Sequence, residues 1–98
     1  MKGEEEPIHE LRIPKDNELV GIVTKALGAS NFSVICSDGN ERVCSIPSKL
    51  KHIFWIKEGD LVLVKPWVAS GDKRGDIIWR YSLKDKEALK ERGIKVPE

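Results

Sequence analysis

Long apolar runs are missing from this chain. Nothing in its 98 residues approaches the ~20 consecutive apolar positions that a membrane helix needs. The N-terminus, MKGEEEPIHE, is acidic and has no apolar stretch, so it is not a secretory signal. Cysteine is scarce: two residues, Cys36 and Cys44. With no signal peptide, two thiols are expected to be reduced and to act as small apolar residues in strands. Histidine is equally scarce, and His9 and His52 lie far apart. Without a CxxC pair, this spacing does not make a metal site. Neither Ser-His-Asp nor Cys-His chemistry is supported. The glycines at 71 and 75 lack a following Gly-Lys-Ser signature, so there is no phosphate loop. The chain is expected to be a non-enzyme, with no cofactor and no metal.

Net charge is also nearly absent, at +1, which excludes a uniformly basic protein. The distribution is more telling. Residues 1–18 carry three cations against six anions, residues 19–82 nine against six, and residues 83–98 five against four. An acidic start before a mildly basic body fits nucleic-acid binding. Apolar residues at 40% and charged residues at 34% fit one small domain with a charged surface. Residues 1–17 have little surface to bury and are expected to form a mobile acidic tail. Residues 18–82 are expected to form the body, and 83–98 a helix and tail docked on it.

From Glu18 the pattern becomes strand-like. ELVGIVTKALG puts Val20 and Ile22 on one face and Leu19 and Val23 on the other, and ends at Gly28. NFSVICSDGNERVCSI brackets Asp38-Gly39, a strong hairpin signal. A two-residue loop there would set Val34 opposite Val43. Pro47 cannot donate to a ladder and stops the third strand. Residues 48–54 are a loop or short helical turn, and Glu58-Gly59-Asp60 is a turn. LVLVKPW is apolar enough to be buried on both faces. A polar loop, ASGDKRG, leads to DIIWRYS as the fifth strand.

Ser82 then supplies an N-cap with Asp85 at the third helical position. Gly93 follows Arg92 at the C′ position, with Leu89 and Ile94 spaced for a Schellman contact. The helix is expected to dock through Tyr81, Leu83 and Leu89. The sum is an all-β domain whose five strands form a Greek-key barrel, with a terminal helix. Strand count alone leaves an SH3-like barrel open.

Several pieces, in this order and spacing, carry a resemblance. They are Leu27-Gly28, Cys36-x-Asp38-Gly39, Arg42, Ile46-x-x-Lys49-Leu50-Lys51, Trp55-Ile56, Gly59-Asp60, Val62-Leu63-Val64 and Asp76-Ile77-Ile78-x-Arg80-Tyr81. From about Glu18 to Gly93 the chain resembles translation initiation factor 1A in its short archaeal form. The resemblance implies an S1-like OB-fold. It implies a factor that binds the small ribosomal subunit at its aminoacyl site through ribosomal RNA; with no secretory signal, the chain is expected to be cytoplasmic, and it is expected to be monomeric. Promotion of subunit dissociation, stabilisation of initiator methionyl-tRNA and contact with other initiation factors are implied too; no membrane is involved. The chain departs from the family where Asn31, Ser33 and Ile35 replace second-strand arginines, Ser48 replaces a glycine, and His52 and Ile53 stand where cations are usual.

Candidate RNA-binding residues follow. KLKHIFWIKEGDLVLVKPW, residues 49–67, sets four lysines among two tryptophans. The resemblance assigns Lys49, Lys51 and His52 to ribosomal RNA; lysine acts there as a point charge that releases counterions. Trp55 lies between core packing and base stacking. Arg42 and Arg80 are on strands where alternation could turn them outward to grip phosphate. Lys73 and Arg74 sit in the loop before the fifth strand, with Lys57 and Lys65 as further cations. Trp67, Trp79 and Phe32 are assigned to packing. Two rival functions remain: a generic single-stranded RNA chaperone, and a protein-interaction module whose basic face is incidental.

Overall fold

The computed structural model describes residues 11–50 and 55–97. Five strands, β1 (Leu19–Gly28), β2 (Asn31–Cys36), β3 (Glu41–Ser45), β4 (Leu61–Pro66) and β5 (Arg74–Tyr81), precede helix α1 (Leu83–Glu91). A 3₁₀ turn at Ser48–Leu50 interrupts the β3–β4 connection. The strands close in the order β1-β2-β3-β5-β4. Closure leaves no bare sheet edge. The β3–β5 contact is parallel, with Val43 opposite Arg74; the other four pairings are antiparallel.

Two apolar clusters hold this shape. Inside the barrel, Val23, Phe32, Val34, Cys36, Cys44, Ile46, Val62, Val64 and Ile77 are buried together. A second cluster contains Val20, Leu61, Leu63, Tyr81 and Leu89, with Ile22, Trp79 and Ile94 packed against it. β4 serves both, which is why Leu61–Val64 is apolar at every position and buried at every position. Gly21 makes the closure possible: a Cβ there would stand 2.5 Å from Val34 Cγ1 and 3.0 Å from the Ile35 carbonyl.

The β2–β3 turn is one residue longer than expected. The Gly39 amide donates to the Cys36 carbonyl and the Cys36 amide to the Asn40 carbonyl, each at 2.9 Å. Gly39 takes the left-handed conformation, with φ +89°. This is a three-residue loop closed by a glycine bulge. Val34 therefore faces Arg42, not Val43. Because side chains alternate with period two, the slip inverts β3: Arg42 and Cys44 point inward, and Glu41, Val43 and Ser45 outward. Cys44 lies opposite Phe32, and both thiols are free and buried.

At the C-terminal end the local chemistry acts as its residues dictate. The Ser82 hydroxyl accepts from the Asp85 amide at 3.2 Å and the Asp85 carboxylate from the Ser82 amide at 3.0 Å, a complete capping box. The Ile94 amide donates to Leu89 O and the Gly93 amide to Lys90 O, each at 3.0 Å, completing the Schellman pattern. A helix this short is marginal alone; fully buried Leu89 fixes it to β5. Leu83, expected at this contact, is instead 83% exposed, because it is the first helical residue and points away from the Leu89 face. Leu11 packs against the same cluster. Arg12 lies 4.8 Å from the Trp79 ring centre, and its carbonyl accepts from the Tyr81 hydroxyl. Residues 11 and 12 of the expected tail are thus tied to the barrel. Among the described residues no helix is long and apolar enough to cross a membrane.

Candidate nucleic-acid interface

The barrel's strands run between two ends. One holds the β1–β2 turn and the 3₁₀ turn, joined where the Ile46 amide meets the Ser30 carbonyl at 3.2 Å. The other holds the β2–β3 turn and the β4–β5 loop, joined by Arg42. Between them lies the outward face of β1, β2 and β3. Its residues Ser33, Ile35, Glu41, Val43 and Ser45 belong to neither apolar cluster.

At the first end, Lys49 is exposed in the 3₁₀ turn. Trp55 is 88% exposed, while the next residue, Ile56, packs against the barrel interior. The apolar partner anchors the segment and leaves the indole in solvent, so the Trp55 alternatives resolve toward the surface. Lys51 and His52 lie outside the described residues. Lys57 is exposed, with its amide on Asp60 Oδ2 at 2.9 Å. The same oxygen accepts from Arg80 Nε at 3.1 Å. Arg80 does turn outward, with its side chain 43% exposed, so one edge of its guanidinium remains available.

At the second end, the expectation of an outward Arg42 is corrected. Arg42 is 4% exposed. Its two terminal nitrogens meet the two Asp38 carboxylate oxygens at 3.0 and 2.8 Å, and Nε donates to the Gly71 carbonyl. This fork pins the hairpin turn to the β4–β5 loop and holds the Asp38 carboxyl below its ordinary titration range. Buried and engaged at all three nitrogens, that guanidinium does not face solvent where it could meet phosphate. Lys73 is exposed beside it. Arg74 is half-buried and lies 4.5 Å from the Trp67 ring centre. Its Nε has no hydrogen-bond partner among the described residues. Trp67, assigned to packing, remains 39% exposed. Its indole N–H donates to Asp76 Oδ1 at 3.1 Å, and it borders a cleft of about 370 Å³ shared with Leu19, Asp38 and Val68. Lys65 is exposed, opposite Asp76 in the β4–β5 register.

The structure therefore separates the candidates into two groups: Lys49, Trp55, Lys57 and Arg80 toward one side, and Lys65, Lys73 and Arg74 toward the other. The face between them carries two charges: the exposed Lys25 of β1, opposite Ser33 in the β1–β2 register, and Glu41. Its carboxylate accepts from the Ser33 hydroxyl and, at 3.5 Å, from the Thr24 hydroxyl. Asn31 accepts from the Ser45 hydroxyl at 2.7 Å. Sequence reasoning passed over Glu41, because its outward position depends on the hairpin register. The buried thiols offer no nucleophile at neutral pH: burial raises Cys36 and pushes Cys44 up to about 12. Among the described residues no group of three or more Cys, His, Asp or Glu side chains is placed to hold a metal ion.

Comparison with known proteins gives this geometry a context. The family model described as translation initiation factor 1A / IF-1 matches residues 8–98. Translation initiation factor 1A 1 of Haloquadratum walsbyi is 46% identical over 85 residues, covering 87% of this chain and 88% of that protein. Translation initiation factor 1A of Picrophilus torridus is 50% identical over 84 residues, covering 86% and 76%. The corresponding protein of Pyrococcus abyssi is 44% identical over 92 residues, covering 94% and 81%. Among solved structures, translation initiation factor IF-1 from the Wolbachia endosymbiont of Brugia malayi aligns with a TM-score of 0.54 at 30% identity, over 74% of this chain and 85% of that one. With its closed five-strand barrel, its capped terminal helix and these relatives, the chain belongs to the translation initiation factor 1A / IF-1 family.

Proposed function

We propose that this chain is a cytoplasmic, monomeric factor that binds the small ribosomal subunit at its aminoacyl site through ribosomal RNA. Its family consists of translation initiation factors, not enzymes, so its action is binding energy directed at one state of a larger assembly. It promotes subunit dissociation and stabilises initiator methionyl-tRNA on the subunit, the tRNA indirectly and alongside other initiation factors. The observation that carries the reading is Trp55, 88% exposed on a segment whose Lys49 and Lys57 are also exposed. An indole in water beside cations is a stacking platform for an unpaired base, with lysines to meet the flanking phosphates. Lys73 and Arg74 extend the path across the barrel, and Lys51 and His52 complete the basic segment. Arg80 and Lys65 lie at its margins. The body comprises residues 18–82, with the acidic residues 1–17 before it and the helical segment 83–98 docked behind.

The test is binding of the purified protein to isolated small subunits and to an equal mass of unstructured RNA across a salt series. Preference for the subunit, weakening as salt rises, is expected. Equal binding to both would favour the RNA-chaperone reading, and binding to neither would favour a protein-interaction module.

A further inference from the structure

The outward face of β1, β2 and β3 is unusual for a surface that meets RNA. β2 spans about 17 Å from Asn31 to Cys36 at the usual strand rise. Across that width the outward side chains are Asn31, Ser33 and Ile35 on β2, and Glu41, Val43 and Ser45 on β3; neither strand turns a cation outward here, and the face has one on β1, the exposed Lys25 opposite Ser33. Apart from Lys25, the cations that attract phosphate lie at the two ends. A phosphate passing over the middle would meet the Glu41 carboxylate and be repelled. Over β2 and β3, where Glu41 is the one outward charge, a strand held at both ends is therefore favoured to turn its bases, not its backbone, inward.

Glu41 is prepared for such a base. Cross-strand pairing places Ile35 opposite Glu41 and Val43 opposite Ser33, so two half-buried aliphatic side chains offer a shelf for a base plane beside the carboxylate. Oε2 accepts from the Ser33 hydroxyl. The Thr24 hydroxyl is shared between that oxygen, at 3.5 Å, and the Ser33 carbonyl, at 3.1 Å. These contacts restrict an otherwise mobile side chain. They leave Oε1 with no hydrogen bond among the described residues, facing outward as a charged acceptor. Exocyclic amino groups of cytosine and adenine are donors to such an acceptor, while the corresponding position of uracil carries a carbonyl oxygen.

We propose that Glu41 is a base-reading residue: its free carboxylate oxygen accepts a hydrogen bond from the exocyclic amino group of an unpaired RNA base resting on Ile35 and Val43. This rests on the RNA-binding reading and adds a selectivity to it. Phosphate contacts at the ends set affinity, and Glu41 biases which base occupies the centre.

The experiment measures binding of the full chain, by fluorescence anisotropy at one salt concentration, to oligo(C), oligo(A) and oligo(U) of equal length, for the natural protein and for Glu41→Gln and Glu41→Val. The natural protein is expected to favour oligo(C) and oligo(A) over oligo(U) several-fold. Glu41→Val should remove most of that preference, and Glu41→Gln, which keeps a neutral acceptor, should retain part of it. Equal strengthening of all three oligonucleotides in both variants would overturn the proposal, since Glu41 would then act only through its charge. Absence of any preference in the natural protein would overturn it as well. Failure of the natural protein to bind RNA or small subunits at all would instead remove the RNA reading itself, a result distinguishable from the other two.

Discussion

Two faces of one barrel have opposite fates. The outside of β1, β4 and β5 presents Val20, Ile22, Leu61 and Leu63, and is covered by Leu89 and the residues around Leu11 and Ile94. The outside of β1, β2 and β3 presents hydroxyls, an amide, one carboxylate, the Lys25 ammonium and two aliphatic residues, and these belong to no apolar cluster. The same fold thus builds a second core on one side and leaves the other for a partner. Burial of apolar area decides the first; the second is legible only as what that burial omits.

The sharpest way to break the comparison is to uncover the covered face. Leu89→Ala should cost about 2–4 kcal/mol, as for other fully buried leucines, read as a lower midpoint of denaturant unfolding. RNA binding measured below that midpoint should be retained. A loss of binding without a loss of stability would mean that the helix belongs to the RNA site.

At the two ends that flank the open face the converse holds. Trp55→Ala should leave the midpoint within about 0.5 kcal/mol and weaken small-subunit binding by about 1–3 kcal/mol, the range for a stacked base. Unchanged affinity would remove Trp55 from the interface. Arg42→Met tests the clamp between the two loops. It should cost about 1–2 kcal/mol, since Asp38 remains partly solvated after losing its charged partner, while direct phosphate contact predicts a reduced salt slope instead. Lys73→Ala should lower the salt slope of binding by about one contact with no change in melting temperature.

A further effect is on pH dependence. Burial raises the folded-state thiol of Cys44 from its ordinary 9.0 to about 12, and raises the Tyr81 hydroxyl above its ordinary 10.0. The unfolded chain ionises first, so stability is fully present below pH 9 and declines as pH rises from there toward 12. Thermal melts between about pH 7 and 11 should show this decline, and Cys44→Ala should flatten its onset near the ordinary thiol value.

Much of the architecture was already legible along the chain. The capping box at Ser82 and Asp85 and the Schellman ending at Gly93 are local interactions, complete within a few residues. The unbroken apolar run of β4 announced burial on both faces before either neighbour was known. Arg42 and Leu83 were not legible. Asp38-Gly39 is compatible with loops of two or three residues, and local propensity does not choose between them. Once the structure chose three, every side chain of β3 reversed. A cation expected to meet RNA became an internal clamp, and Glu41 came to the centre of the open face. Trp55 was undecidable for a similar reason: an aromatic in IFWI fits core or surface equally until Ile56 claims the interior.

The sequence by itself therefore determined which segments are strands, where the helix begins and ends, and that the chain resembles an initiation-factor family. Those properties depend on alternation, caps and turns, whose interactions span few residues. The tertiary structure alone decided which faces those strands present and which cations remain free. Register and closure are set by packing between residues distant in the chain, where one residue of loop length inverts a strand.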